Sequence, residues 1–123
     1  MKRIGVAIAV VGIAAALAHL FGLTKLLGAH PFWHLQVLWG GAGIGLILGL
    51  LTLQLQNKVR LLGFVALAIG AFIAATLGKQ SFAASFAENA LAGKIWYFGW
   101  FATAAGTSAL LFSCATLKKS LPR

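Results

Sequence analysis

Residues 31–53 read PFWHLQVLWGGAGIGLILGLLTL and contain no Asp, Glu, Lys or Arg. A helix needs about 20 mostly apolar residues to cross the hydrocarbon core of a bilayer, and this stretch meets that length. Within it, Gly41, Gly45 and Gly49 recur at every fourth residue and therefore lie on one face of a helix. Small residues at this spacing allow a second helix to approach closely in lipid. The stretch therefore predicts a membrane-spanning helix that packs tightly against a neighbour.

Three further apolar stretches, at about residues 4–21, 61–77 and 95–117, complete a predicted set of four spans. Hydrophobic residues make up 61% of the chain and charged residues only 9%. Soluble domains average about 45–50% apolar and about 25% charged residues, so this composition excludes a soluble globular domain. The linkers between the spans are too short for a second domain. We therefore expect residues 1–123 to form one all-α transmembrane domain, an integral membrane four-helix bundle.

Two segments leave alternatives open. Phe82, Phe86 and Ala90 recur at helical spacing, which predicts either a short helix lying flat on the membrane surface over residues 80–92 or an irregular loop. The beginning of the chain, where basic residues precede an apolar run and Ala16-Leu17-Ala18, also resembles a cleavable secretory signal. Cleavage would leave three spans, whereas retention leaves four, and we expect four.

The basic residues predict how the spans are oriented, because the cytoplasmic ends of spans carry an excess of Lys and Arg. One set of span ends carries seven of them: Lys2, Arg3, Lys58, Arg60, Lys118, Lys119 and Arg123. The other set carries three: Lys25, Lys79 and Lys94. We therefore expect a multi-pass protein of the inner (plasma) membrane with both termini cytoplasmic. These residues also attract anionic lipid head groups, and without a basic helix or polar domain we expect no nucleic-acid binding.

Aromatic residues lie near the opposite, outer ends of two predicted spans. Trp33 and Trp39 fall early in the second span, and Trp96, Tyr97 and Trp100 fall early in the fourth. Trp and Tyr side chains favour the head-group level of a membrane. All five are therefore predicted to anchor the bundle at the membrane interface.

Small residues recur in the remaining spans as well. The third span contains Gly70. In the fourth span, Gly99 and Gly106 lie on one face of the helix, and in the first span Gly5 and Gly12 do the same. Glycine in a water-exposed helix costs about 1 kcal/mol relative to Ala, so its repetition here favours helix contact. Some of these faces would pack inside the bundle, and others would face a second copy in a homo-oligomer or a larger membrane complex.

Three histidines, His19, His30 and His34, fall at the predicted outer end of the bundle. Helical spacing puts His34 on the face of Gly41 and His19 on the face of Gly12, so both are expected to point toward packed faces. Imidazoles placed in this way are candidate ligands for haem iron or another transition metal. The alternative is a structural role, such as capping a helix or donating a hydrogen bond to a carbonyl group.

Acid–base chemistry has few candidate residues in this chain. There is no Asp and only one acidic residue, Glu88, so the sequence offers no pair of carboxylates. The single cysteine, Cys114, excludes an intramolecular disulfide and a cysteine-based metal site. We therefore expect a non-catalytic accessory or scaffolding subunit that also holds lipid or pigment. The alternatives are a redox, metal-binding or haem-binding membrane subunit that uses the histidines, and a small transporter or pore.

Residues 21–28, FGLTKLLG, resemble the G-x-x-K-L turn that follows the first helix of DoxX-like small four-span membrane proteins. The chain length, the glycine-rich second span and Arg60-Leu61-Leu62-Gly63 at the start of the third span are similar as well. The resemblance implies a four-helix membrane bundle, of a kind sometimes associated with quinone-linked redox systems. It assigns no functional residue in this chain.

Overall fold

A computed structural model describes residues 2–29, 33–85 and 90–117 of the chain. Within these ranges the regular structure is entirely helical. The helices, in chain order, are α1 (Lys2–Phe21), α2 (Leu23–Leu27), α3 (His34–Leu51), α4 (Asn57–Ala84) and α5 (Ala90–Ala115). Four of them, α1, α3, α4 and α5, are long and apolar enough to cross a membrane. The all-α class and the four candidate spans are therefore confirmed.

Helix α4 differs most from its predicted span, which was expected at residues 61–77. It runs over Asn57–Ala84, which is 28 residues and about 42 Å at 1.5 Å per residue. That length exceeds the hydrocarbon core of a bilayer, which is about 30 Å thick. The flat helix expected over 80–92 is not a separate element in the described ranges. Residues up to Ala84 continue α4 because no proline interrupts it, α5 begins at Ala90, and residues 86–89 lie outside the described ranges.

Helix α5 is the centre of the bundle, because it contacts α1, α3 and α4. Helix α1 also contacts α3, and the short α2 contacts both α1 and α3. Among the described helices, α4 packs closely against α5 alone. In a regular four-helix bundle each helix has two neighbours, so α4 would also lie beside α1 or α3. Here α1 and α4 stay apart, and one side of the bundle is open.

The interface between α3 and α5 depends on small residues on both helices. A side chain at Gly45 would collide with Ser108, and its Cβ would lie 2.5 Å from the carbonyl oxygen of Ala105. The Ser108 hydroxyl donates a hydrogen bond of 2.8 Å to the carbonyl oxygen of Ala42. Close backbone approach and interhelical hydrogen bonds are the main forces that hold helices together in lipid. They explain why the glycine-rich α3 packs against α5.

The interface between α4 and α5 is built in the same way. A Cβ on Gly99 would lie 2.9 Å from the Cβ of Ala75, and one on Gly106 would lie 2.9 Å from the backbone nitrogen of Ala68. Both alanines belong to α4, so backbone approaches backbone along this contact. Helix α5 thus presents small residues to α3 and to α4, and this accounts for its central position.

Three helix ends meet at one end of the bundle, where two arginines contact the last residues of the α5 segment. Arg3, at the start of α1, donates a hydrogen bond of 2.7 Å to the carbonyl oxygen of Leu117. Arg60, near the start of α4, donates bonds of 2.6 Å and 3.3 Å to the hydroxyl and carbonyl oxygens of Thr116. The last carbonyl groups of a helix lack intrahelical donors and form the negative end of its dipole, so cations are favoured there.

The outer surface of the bundle is strongly apolar. Ile13, Ile47, Ile69 and Phe98 are each more than half exposed, and they lie on four different helices. Soluble monomers rarely expose large continuous apolar patches. Such a surface fits contact with the acyl chains of a bilayer.

Candidate functional site

A groove runs along the open side of the bundle, between α1 and α4, with α5 at its base. Its volume is about 280 Å³, just below the usual range of about 300–1,000 Å³ for ligand pockets. All four long helices and α2 contribute to its lining, which includes Ala14, Ala18, Leu27, Ala42, Phe72 and Trp100. Alanine side chains on α1 and α3 make the groove possible because they leave space beside α5.

The hydroxyl groups that line the groove are mostly satisfied inside the protein. Thr103 donates a hydrogen bond of 2.7 Å to the carbonyl oxygen of Gly99, and Ser108 donates to the carbonyl oxygen of Ala42. Thr107 is exposed in the groove and makes no hydrogen bond to any of the described residues. The groove therefore offers apolar contact and shape rather than acid–base chemistry.

Helix α2 closes one end of the groove. The sequence did not predict this helix, because residues 22–30 join the first two predicted spans and were expected to form a simple linker. Glycines with positive φ bracket the helix, Gly22 at 62° and Gly28 at 122°, and these are conformations that other residues rarely adopt. The buried Thr24 fixes α2 to α3, with 3.0 Å between its Oγ1 and Nδ1 of His34. The pair of glycines six residues apart was the available signal.

A second, polar pocket of about 240 Å³ adjoins this closed end. It is lined by Leu27, Gly28, Thr76, Lys79, Gln80, Ala83 and Trp100. Leu27 and Trp100 also line the groove, so the two spaces are neighbours. The Lys79 ammonium lies 6.0 Å from the centre of the Trp96 ring, a cation–π distance, and the Trp96 indole donates a hydrogen bond of 3.0 Å to the carbonyl oxygen of Gly28. A cation thus stands at the polar end of an apolar groove.

Each described histidine has a hydrogen-bonding partner of its own. The Trp39 indole donates a bond of 3.0 Å to Nδ1 of His19, and Nδ1 of His34 pairs with Thr24. His34 is half-buried, as expected. His19 is exposed together with Gly12, so the Gly12 face of α1 is not packed as expected, although His19 itself contacts Trp39 of α3. The reason is that α1 buries the face carrying Ala7, Val11 and Ala15 instead.

A metal or haem site on these histidines stays a prediction. His30 lies outside the described residues. Across residues 2–29, 33–85 and 90–117, no three His, Cys, Asp or Glu side chains come together as metal ligands would.

The predicted packing glycines fall into two groups. Five of the six lie at helix contacts of α5: Gly41, Gly45, Gly49, Gly99 and Gly106. The sixth, Gly70, is exposed, and nothing lies within 4 Å of the position where its Cβ would stand. The same open surroundings are found at Gly5, Gly12, Gly43 and Gly63.

The predicted aromatic anchors gather at the end of the bundle that carries α2, but they are not equally exposed. Trp96 and Trp100 are buried, whereas Trp39 is exposed. Trp33 packs edge to face against Trp96 at 5.2 Å and against Tyr97 at 5.1 Å between ring centres. Edge-to-face pairs stabilise aromatic clusters beyond simple burial, and this explains why part of the predicted belt lies inside the protein.

No protein-family model, curated protein or solved structure matches the chain. The four long apolar helices indicate a multi-pass membrane protein.

Proposed function

We propose that the protein is a non-catalytic accessory or scaffolding subunit of the inner (plasma) membrane. It packs through exposed small-residue faces against a second copy of itself or against a larger membrane complex, with lipid covering the rest of its surface. The observation that carries this proposal is the surroundings of Gly12 and Gly70. Both are exposed, and nothing lies within 4 Å of where a side chain would begin.

Each of these glycines belongs to an extended face. On α1 the exposed face carries Gly5, Ala9, Gly12 and Ala16, and on α4 it carries Gly63, Ala66 and Gly70. Their spacing of three or four residues aligns them along one side of each helix. In lipid, such faces let the backbone of another helix approach closely, as they do inside this bundle at α3 and α5. Unlike the faces of α3 and α5, they have no partner helix within the described parts of the chain.

The orientation with both termini cytoplasmic belongs to the same proposal. The hydrogen bond between Arg3 and Leu117 puts the start of α1 and the end of the α5 segment at one end of the bundle. Arg60 lies at that end as well. The excess of basic residues there supports a cytoplasmic location by the positive-inside rule.

The proposal is tested by extracting the protein from bacterial membranes in native lipid discs and measuring the mass of the particles. We expect the wild type in complexes heavier than one chain. Gly12→Leu or Gly70→Leu should lower the association constant about tenfold, which corresponds to about 1.4 kcal/mol of lost contact. Gly43→Leu is the matched control, because Gly43 is equally exposed and open but lies on α3, outside both faces. A wild type that is always a lone chain, or three variants that behave alike, would contradict the proposal.

A further inference from the structure

The groove and the polar pocket beside it are neighbouring spaces of different chemical character. The groove is apolar along nearly its whole length, and the pocket carries a lysine, a glutamine and a threonine. Leu27 and Trp100 line both spaces. We infer that this combined site holds one anionic phospholipid, with an acyl chain in the groove and its phosphate beside Lys79.

The size of the groove favours an acyl chain over a protein helix. A helix is about 10 Å across, so three turns of it fill on the order of 1,000 Å³. The groove offers about 280 Å³, which is too little to enclose a helix. A single extended hydrocarbon chain is narrower, and small side chains such as Ala14 and Ala18 leave room for it beside α5.

The charge at the polar end favours an anionic head group. Lys79 is exposed, and no carboxylate lies among the described residues to pair with it. The only acidic side chain of the chain is Glu88, which lies outside the described residues. Basic residues near a membrane surface attract anionic lipids, and a phosphate here would also find donors on Gln80 and Thr76.

The depth of the two compartments matches the layers of a bilayer. Lys79 lies five residues before the end of α4, a helix about 42 Å long in a hydrocarbon core of about 30 Å. Lys79 therefore falls near the head-group level when α4 is centred in the membrane. The groove continues from there along α1 and α5 into the hydrocarbon layer, where an acyl chain belongs.

The inference is independent of self-association, because it concerns the space between α1 and α4 and not the outward faces of those helices. Two variants on one helix separate the two ideas. Ala14 lines the groove, whereas Ala16 lies on the exposed small-residue face of α1. Ala14→Leu should fill the groove, and Ala16→Leu should leave it open whatever its effect on association.

The experiment is a titration of the detergent-purified protein with phosphatidylglycerol or phosphatidylcholine, with bound lipid counted by native mass spectrometry. We expect one tight site that prefers phosphatidylglycerol about fivefold, the factor that one basic residue near a head group contributes. Lys79→Gln should abolish the preference for phosphatidylglycerol. Lys94→Gln is the matched control, because it removes the same charge at the same end of the bundle but outside the groove and the pocket, and it should keep the preference.

Ala14→Leu should weaken binding of both lipids at least about tenfold, and Ala16→Leu should not. Thr107→Leu fills the groove from α5 and serves as a second variant, since Thr107 is exposed. Thermal unfolding checks that each variant is folded. Equal binding by the Ala14 and Ala16 variants, or the same loss of preference in Lys79→Gln and Lys94→Gln, would overturn the inference.

Discussion

Two groups of glycines in this bundle have opposite surroundings. At the interface between α3 and α5, Gly41 and Gly45 lie so close to α5 that a side chain on either would collide with Ala104 or Ser108. On the outward faces of α1 and α4, Gly12 and Gly70 have nothing within 4 Å of where a side chain would begin. Within one small bundle, glycine therefore lies at a helix–helix contact in one place and at an open surface in another.

The difference shows which part of helix packing a small-residue pattern predicts and which part it does not. The pattern indicates that a helix can approach another helix closely, because no side chain separates their backbones. It does not indicate which helix approaches, since that depends on how the four helices are arranged. Single substitutions at the packed and the open positions measure this difference.

The largest effect is expected for Gly45→Ala. The added methyl group would stand 2.5 Å from the carbonyl oxygen of Ala105, and neither backbone can move without separating α3 from α5. We expect a loss of about 3 kcal/mol in the free energy of unfolding, at the upper end of the range for overpacking. Titration with sodium dodecyl sulfate in mixed micelles measures it. A loss below about 0.5 kcal/mol would mean that the two helices are not in close contact.

Arg60→Met comes next, because it removes the link between the start of α4 and the end of α5. The guanidinium is almost completely buried at 1% exposure and donates two hydrogen bonds to Thr116. Hydrogen bonds from a charged donor contribute about 1.5–3 kcal/mol, so we expect a loss of about 2 kcal/mol in the same titration. Lys58→Met is the matched control on the same helix, exposed and expected to change stability by less than about 0.5 kcal/mol. Equal losses in both variants would rule out this role for Arg60.

The smallest effect, and one of opposite sign, is expected for Gly43→Ala. Gly43 is exposed on α3 and has nothing within 4 Å of the new methyl group. Alanine is the better helix former, and glycine costs up to about 1 kcal/mol, so the variant should be more stable by about 0.5–1 kcal/mol. Gly45→Ala, two residues away on the same helix, should lower the free energy of unfolding, whereas Gly43→Ala should raise it. A destabilised Gly43→Ala would show that the outward face of α3 is occupied.

Much of this fold could be predicted from the sequence, because in lipid the length of an apolar run decides where a helix spans. The four candidate spans followed from that length. What could not be predicted was the arrangement of the spans. Nothing in the spacing of Gly70 distinguishes it from Gly106, yet only Gly106 meets a neighbouring helix in the structure.

The candidate site was harder to predict than the fold. The groove depends on α1 and α4 standing apart, which is a property of the assembled bundle and of no single segment. Helix α2, which closes the groove, is held by two glycines of positive φ and by Thr24, all in a stretch that was expected to be a linker. From the sequence, Arg60 contributed only to the predicted orientation of the spans. Its contact with Thr116 could not be predicted, because the two residues are 56 positions apart.

The open side of the bundle is tested most directly by pairs of introduced cysteines, oxidised in membranes in a Cys114→Ser background. A disulfide forms only where the two Cα atoms lie within about 7 Å. We predict that cysteines at Ala42 and Ser108 cross-link rapidly within one chain, because the Ser108 hydroxyl lies 2.8 Å from the Ala42 carbonyl oxygen where α3 packs against α5. We predict no cross-link within one chain between cysteines at Ala14 and Phe72, on the two walls of the groove. An intrachain disulfide between residues 14 and 72 that forms as readily as the first would contradict a bundle built around α5 and open between α1 and α4.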